Sequence, residues 1–368
     1  MLAGMKPMEL HEAHRALNAV FTEVNGAEVV QGYGDATAEH AALGNAAGVL
    51  DLSFRDRLCL TGEDRIRFLN GQVTNNIKAL SPGQGCYAAL TTAKGRMESD
   101  LHSHCLKDEL LLDLEPGLAS RVSARLEKFI VADDVEVVDV KPHYGLLSVQ
   151  GPKATAVLQQ LRLTPDLPQH LYQSVVLSDP HLGEIVLVNL PRFGSLGFDL
   201  FVPNTALGVA ADRLITAAKT VGGCVCGWEA MEMRRIEAGI PRYGWDMDET
   251  NIPLEAGLEV RAISYSKGCY VGQEVINRIH SIGQVSKAWR GLHLTRDTSP
   301  LPLHGDRLYH EGQPAGYVTS VLNSSRFNRP LALGYVRREM NQTGATLSLS
   351  PTAGGSQAVI VDLPFSEA

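Results

Sequence analysis

The stretch Arg235-Ile236-Glu237-Ala238-Gly239-Ile240-Pro241 opens the densest pattern in the chain. Two further blocks follow it. They are Ile252-Pro253-Leu254-Glu255-Ala256-Gly257-Leu258 and Lys267-Gly268-Cys269-Tyr270-Val271-Gly272-Gln273-Glu274. Residues 229–238 read as a helix, which Gly239 can end in the left-handed conformation and Pro241 prevents from continuing. Gly268 and Gly272 predict a tight backbone on either side of Cys269 and Tyr270.

Beyond about Gly283 the character changes. Short strands are predicted at 288–294, 306–310, 316–322, 331–336, 346–349 and 358–361, separated by turns rich in Gly, Pro and Asn. This reads as a small all-β barrel or sandwich. Upstream, a short helix is expected at 65–68 and a buried strand at 108–114, with Pro116-Gly117 breaking it. Leu118, Val122, Leu126, Phe129 and Ile130 then fall at helical spacing. Strands follow at 135–140 and 146–149, and Pro152 suits the first turn of a helix at 153–161. Strand–helix–strand–strand–helix is the order of a ferredoxin-like domain, placed roughly within 105–225. The fold class is therefore α+β.

A chain of 368 residues exceeds one ordinary core, so two or three domains are expected. With 44% hydrophobic and 20% charged residues it can bury substantial cores. A net charge of −8 argues against a general binder of nucleic acid or anionic membrane. No apolar run approaches the ~20 residues of a membrane span, and residues 1–14 lack the pattern of a signal peptide. The six cysteines are scattered, with one C-x-C at Cys224 and Cys226, as in a reduced compartment rather than a disulfide scaffold or zinc module. G-x-x-x-x-G-K-[ST], H-E-x-x-H and G-x-S-x-G are absent, so nucleotide-binding, zinc-protease and serine-hydrolase readings have no foothold.

The three opening blocks resemble the glycine-cleavage T-protein (aminomethyltransferase) superfamily, whose pattern is R-L-E-x-G-x-P, P-L-E-A-G-L and K-x-x-F-x-G-x-E. The form K-G-C-Y-x-G-Q-E is similar to the YgfZ branch, folate-binding proteins of iron–sulfur cluster assembly and repair. Further matches occur in order along the chain: Glu39-His40, residues 48–53, Thr61-Gly62, Phe68-Leu69, Thr74-Asn75, Val149-Gln150-Gly151-Pro152, residues 316–320 and residues 331–336.

The resemblance implies a T-protein-like three-domain ring with folate in its central hole. Residues 1–283 would form an aminomethyltransferase-like folate-binding region of two intertwined α+β subdomains, and 284–368 a C-terminal β-barrel. The implied cofactor is tetrahydrofolate, and the implied partners are folate and iron–sulfur client proteins, tRNA-modifying enzymes among them. A monomer in the cytoplasm, with no direct contact to nucleic acid or membrane and no resident metal, is expected. One alternative is the aminomethyltransferase of glycine cleavage, a folate-dependent one-carbon transferase. The other is a non-catalytic scaffold regulated by folate.

By the same resemblance Glu237 holds the pterin, where one carboxylate can accept an N–H and an amino group side by side. The alternative is a solvated helix glutamate, or one paired with Arg234 or Arg235. The T-protein has G-G-x-x-D-D-L; here the segment is Lys94-Gly95-Arg96-Met97-Glu98-Ser99-Asp100-Leu101, so only Asp100 remains of the acidic pair. A carboxylate there can orient an amine or stabilise developing positive charge, and the loss at Ser99 weakens the transferase reading. Arg192, in a degenerate copy of R-T-G-Y-T-G-E-x-G-F-E, either meets the glutamate tail of folate or is a surface cation. Cys269 lies near Lys267 and Arg278, cations that favour the reactive thiolate; otherwise it is a buried small hydrophobe. Lys267, Tyr270 and Gln273 line the site, and Arg278 can attract tail carboxylates. His102 and His104 share a strand face without a third ligand at sensible spacing, and read as structural.

Overall fold

The computed structural model describes residues 6–163, 166–352 and 355–366. The chain divides into two compact units. One comprises Asp100–Arg234 with the chain up to Ala88, the other Ala89–Ser99 with the chain from Arg235 onward.

The first unit holds two sheets. In the six-stranded sheet, Ser174–Asp179, Gly183–Asn189, Gly197–Pro203, Tyr144–Gln150, Gly48–Asp51 and Cys224–Val225 lie side by side. Strand alternation sorts its two faces. Leu147, Val149, Leu187 and Leu200 point into a core shared with Leu158 of the Ala154–Leu161 helix and Leu214 of the Leu207–Thr220 helix. Leu146, Val188 and Phe201, from the opposite face, pack with Cys59 and Leu111 of the second sheet. Burying a Leu or Phe side chain this completely stabilises by about 1.5–3 kcal/mol. The same opposite face also carries Ser148, Gln150 and Asp199, all fully buried polar groups.

The second sheet runs in the order Gln84–Thr91, Met97–Cys105, Leu110–Leu114, Asp56–Thr61, Glu136–Asp139. The tip of its first hairpin, residues 89–99, belongs to the other unit. Leu110–Leu114 and Glu136–Asp139 both flank Asp56–Thr61, and the β–α–β run of the six-stranded sheet starts at Tyr144. Periodicity located these strands, but partner choice depends on residues 56–61, distant in sequence. The helix expected at 65–68 runs from Arg65 to Gln72. The helix expected at 118–130 is Ala119–Glu127, with Phe129 outside it and covered by the Arg125 guanidinium 3.9 Å above its ring.

In the second unit all six strands expected after Gly283 are present. They close into a barrel in the order Lys287–Leu294, Arg329–Arg337, Gln313–Ser324, Arg307–His310, Thr346–Ser348, Gln357–Val361. Leu292, Leu308, Val318, Val336, Leu347 and Ile360 fill its interior. Closure leaves none of the six with an open edge. Among the described residues no helix is long and apolar enough to cross a membrane.

Candidate functional site

On the Met97–Cys105 strand the period of two puts Asp100, His102 and His104 on one face and Ser99, Leu101 and Ser103 on the other. Asp100 is 9% exposed and accepts a 2.6 Å hydrogen bond from the Tyr87 hydroxyl on the neighbouring strand. Burial, reinforced by the Glu115 carboxylate, pushes its carboxyl up to about 6, against the opposing pull of Tyr87 and Arg55. Near neutrality this aspartate therefore exists in both protonation states, the condition under which a group exchanges protons most readily.

Beside it lies a buried charge network. Arg55 donates through Nε to Asp113 Oδ1 at 2.7 Å and through a terminal nitrogen to Glu115. Arg192 donates to Asp113 Oδ2 at 2.8 Å and grips Asp199 Oδ2 with both Nε, at 3.0 Å, and its terminal nitrogen, at 2.5 Å. Ser148 donates to Asp199 Oδ1 at 2.7 Å, and Gln150 steadies both partners by donating to Ser148 and accepting from the Arg192 backbone N–H. Burial alone would raise Asp113, but Arg55 and Arg192 outweigh it and hold its carboxyl well below the usual range. Burial likewise works against the charge on Arg192, and Asp199 and Asp113 more than restore it. His102 lies 3.4 Å from Asp113 Oδ2, between the rings of Tyr87 and Tyr172, and burial lowers its pKa. His104, wholly buried, is driven down to about 3 by burial and then by His102, so its imidazole is neutral.

Arg192 is thus no surface cation. Its guanidinium is a buried strut between two carboxylates, because an uncompensated charge at this depth would cost several kcal/mol. The sequence reading also missed Arg55, Asp113, Glu115 and Asp199. Asp113 and Asp199 had a signal, each a charge inside a strand of otherwise apolar character, Leu110–Leu114 and Gly197–Pro203.

In the second unit the K-G-C-Y-V-G-Q-E segment runs into the helix Gln273–Ile282 through Gly272, at φ +90°. Thr91 Oγ1 donates to Val271 O at 2.7 Å. A Cβ on Gly272 would stand 2.6 Å from Thr92 O, so only glycine allows this approach. Lys267 is 7% exposed, its ammonium 4.9 Å above the Tyr270 ring. Among the described residues the Tyr270 hydroxyl has no hydrogen-bond partner, and burial pushes it up to about 12. Cys269 is exposed, unlike the other five cysteines, so the expectation of a buried small hydrophobe does not hold there. Gln273 is half-buried at the helix start and Arg278 is exposed. Glu259 accepts from the Tyr265 hydroxyl at 2.9 Å and bonds His280 Nδ1 at 2.5 Å, while the two rings stack at 3.8 Å.

Glu237 ends the helix Trp228–Glu237 and is 2% exposed, which excludes a solvated helix glutamate. Ser324 donates to its Oε1 at 2.5 Å. Arg235 bonds Asp246 Oδ2 at 2.6 Å and Ser320 at 2.8 Å, and Asp246 Oδ1 also accepts from Thr319 and Ser320. Arg192 and Asp100 thus belong to the first unit, and Cys269, Lys267, Tyr270, Gln273, Arg278 and Glu237 to the second.

Residues 10–267 match the model of the GCVT N-terminal domain, and residues 287–367 that of the glycine cleavage T-protein C-terminal barrel domain. The chain belongs to the glycine-cleavage T-protein family. Among its T-protein relatives, an aminomethyltransferase of Corynebacterium jeikeium is 29% identical over 99% of each chain. That of Saccharopolyspora erythraea is 28% identical, again over 99% of each. The crystal structure of glycine cleavage system aminomethyltransferase T from Bartonella henselae superposes with a TM-score of 0.87, at 24% identity and over 99% of each chain. At that identity the T-protein likeness speaks for the α+β fold and its barrel.

Proposed function

We infer that this chain is a tetrahydrofolate-binding protein of the YgfZ type, supporting the assembly or repair of iron–sulfur enzymes, tRNA-modifying ones included. The observation that carries this reading is Cys269, exposed within K-G-C-Y-V-G-Q-E on a glycine-shaped loop. Within the second unit Glu237 is assigned to the pterin, Cys269 to the chemistry, and Lys267, Tyr270, Gln273 and Arg278 to holding the folate; within the first, Asp100 is assigned to proton exchange and Arg192 to support of its own unit. Arg192 serves by fixing Asp199 and Asp113. The folate carries the one-carbon or redox chemistry, while the protein positions it and holds protons at Asp100.

A second reading, aminomethyl transfer in glycine cleavage, is favoured by the full-length relatives, which carry that name. It also has Asp100, poised near neutrality. Against it stands Ser99, fully buried where the acidic pair would have its first carboxylate. Folate binding is common to both readings. In a titration with tetrahydrofolate, Glu237→Ala is expected to weaken binding by about 2–4 kcal/mol, the cost of removing one partner of a buried charge-assisted pair. Unchanged affinity would remove Glu237 from the site. Robust turnover of tetrahydrofolate with aminomethylated carrier protein would establish the transferase reading. Restoration of iron–sulfur enzyme activity by Cys269→Ala, in cells lacking the protein, would end the thiol reading.

A further inference from the structure

The C-x-C pair belongs to neither reading. Cys224–Val225 is a two-residue strand at the edge of the six-stranded sheet, paired in parallel with Gly48 and Val49. Cys226 follows the strand directly, its N–H donating to Val49 O at 2.8 Å, and the two sulfurs stand 3.9 Å apart. Cys224 is half-buried and Cys226 buried. The Cys226 sulfur nests where a side chain on Gly48 would stand: a Cβ there would come within 2.8 Å of it. Glycines flank the pair, with Gly222 and Gly223 before it and Gly227 after. Glu39 anchors the far side by accepting from the Gly227 N–H at 2.8 Å.

We propose that Cys224 and Cys226 form a dithiol–disulfide redox pair, with Cys224 as the entry sulfur and Cys226 as the resolving one, oxidised by small-molecule disulfides of the glutathione type. Attack by the Cys224 thiolate breaks the S–S bond of the oxidant, forms a mixed disulfide and releases one thiolate. Cys226 loses its proton and attacks the Cys224 sulfur, forming the Cys224–Cys226 bond and expelling the second thiolate. The balance is two protein thiols and one disulfide going to one protein disulfide and two small thiols. The order follows access, since an oxidant reaches the half-buried sulfur first. The contact between the two sulfurs points the same way, lowering the Cys224 thiol and raising Cys226, whose S–H lies 3.4 Å from Glu39 O. Two steps of strand span about 6.6 Å, near the long limit of Cα separations a disulfide accepts. The bridge therefore closes by drawing in a short edge strand that glycines flank, and it reopens readily under thiol.

The test is equilibration of the native full-length protein in glutathione buffers of graded oxidised-to-reduced ratio. Acid quenching, alkylation and peptide mass mapping then report the Cys224–Cys226 peptide separately from Cys269. The expected result is loss of two hydrogens and of both alkyl labels from that peptide as the buffer becomes oxidising, reversed on return to reduced glutathione. In Cys226→Ser a glutathione adduct should persist on Cys224; in Cys224→Ser neither adduct nor bridge should form. Wild-type protein that stays doubly alkylated at every ratio would overturn the proposal. So would a lasting glutathione adduct on wild-type Cys224, or a bridge that forms only in urea.

Discussion

The Arg55–Asp113–Arg192–Asp199 network and the Lys267–Glu274 loop are two opposite ways of placing charge. The network is sealed: Asp113 and Asp199 are wholly buried, and the strong guanidinium bonds fix every oxygen. In the loop Cys269 and Glu274 are exposed, while Lys267 and Tyr270 are buried. A sealed network cannot respond to a ligand without breaking several charge-assisted bonds, so it is suited to holding shape. An exposed thiol on a rigid turn is suited to meeting something from outside. Asp100 lies between these extremes, buried yet able to change charge near neutrality.

The contrast is broken most directly at Asp113. Asp113→Ala leaves Arg55 and Arg192 each short of a buried carboxylate, and should cost about 3–5 kcal/mol of unfolding free energy in urea titrations. A cost near that of a surface substitution would mean the network is not sealed.

Asp100→Asn sharpens the same contrast through pH. The folded carboxyl titrates at about 6 against an ordinary 3.8, so between these values the folded state holds a proton that the unfolded chain has released. The wild type therefore loses stability as pH rises through that window, by about 3 kcal/mol in all. The amide of Asn still accepts from Tyr87 but does not ionise. The variant should gain on the wild type from about pH 4 to 6 and keep a constant advantage above; parallel stability curves across that range would contradict a raised carboxyl.

At the loop, Gly272→Ala forces a side chain into φ +90° and against Thr92 O. A cost of about 1–3 kcal/mol is expected from the backbone strain, together with increased protease sensitivity confined to residues near 272. A larger loss than for Asp113→Ala would reverse the assignment of rigidity between the two regions.

Local pattern carried much of this fold. The barrel strands were visible because turn residues punctuate apolar runs, and Gly239 and Pro241 marked the end of the Trp228–Glu237 helix. Sheet membership was not visible, since Asp56–Thr61 recruits Leu110–Leu114 and Glu136–Asp139 across long loops. At the site, Cys269 and Asp100 came from motif resemblance. Arg55 gave no local sign, because its partners Asp113 and Glu115 are 58 and 60 residues away. Asp113 and Asp199 stand out as charges within apolar strands, but which guanidinium neutralises each is set by contacts far apart in sequence.

The smallest expected effect tests the link between Asp100 and its donor. Tyr87→Phe removes the hydrogen bond that favours the ionised carboxylate, so the Asp100 carboxyl should titrate above its present value of about 6 in carbon-13 NMR. A hydrogen bond to a charged acceptor is worth about 1.5–3 kcal/mol and a neutral one about 0.5–1.5 kcal/mol. The urea stability lost by the variant should therefore be greater at pH 8, where Asp100 is ionised, than at pH 5, where it is mostly protonated. Equal losses at the two pH values would mean that Tyr87 supports Asp100 by packing alone, and that the aspartate's charge is set by Glu115, Arg55 and burial without its nearest donor.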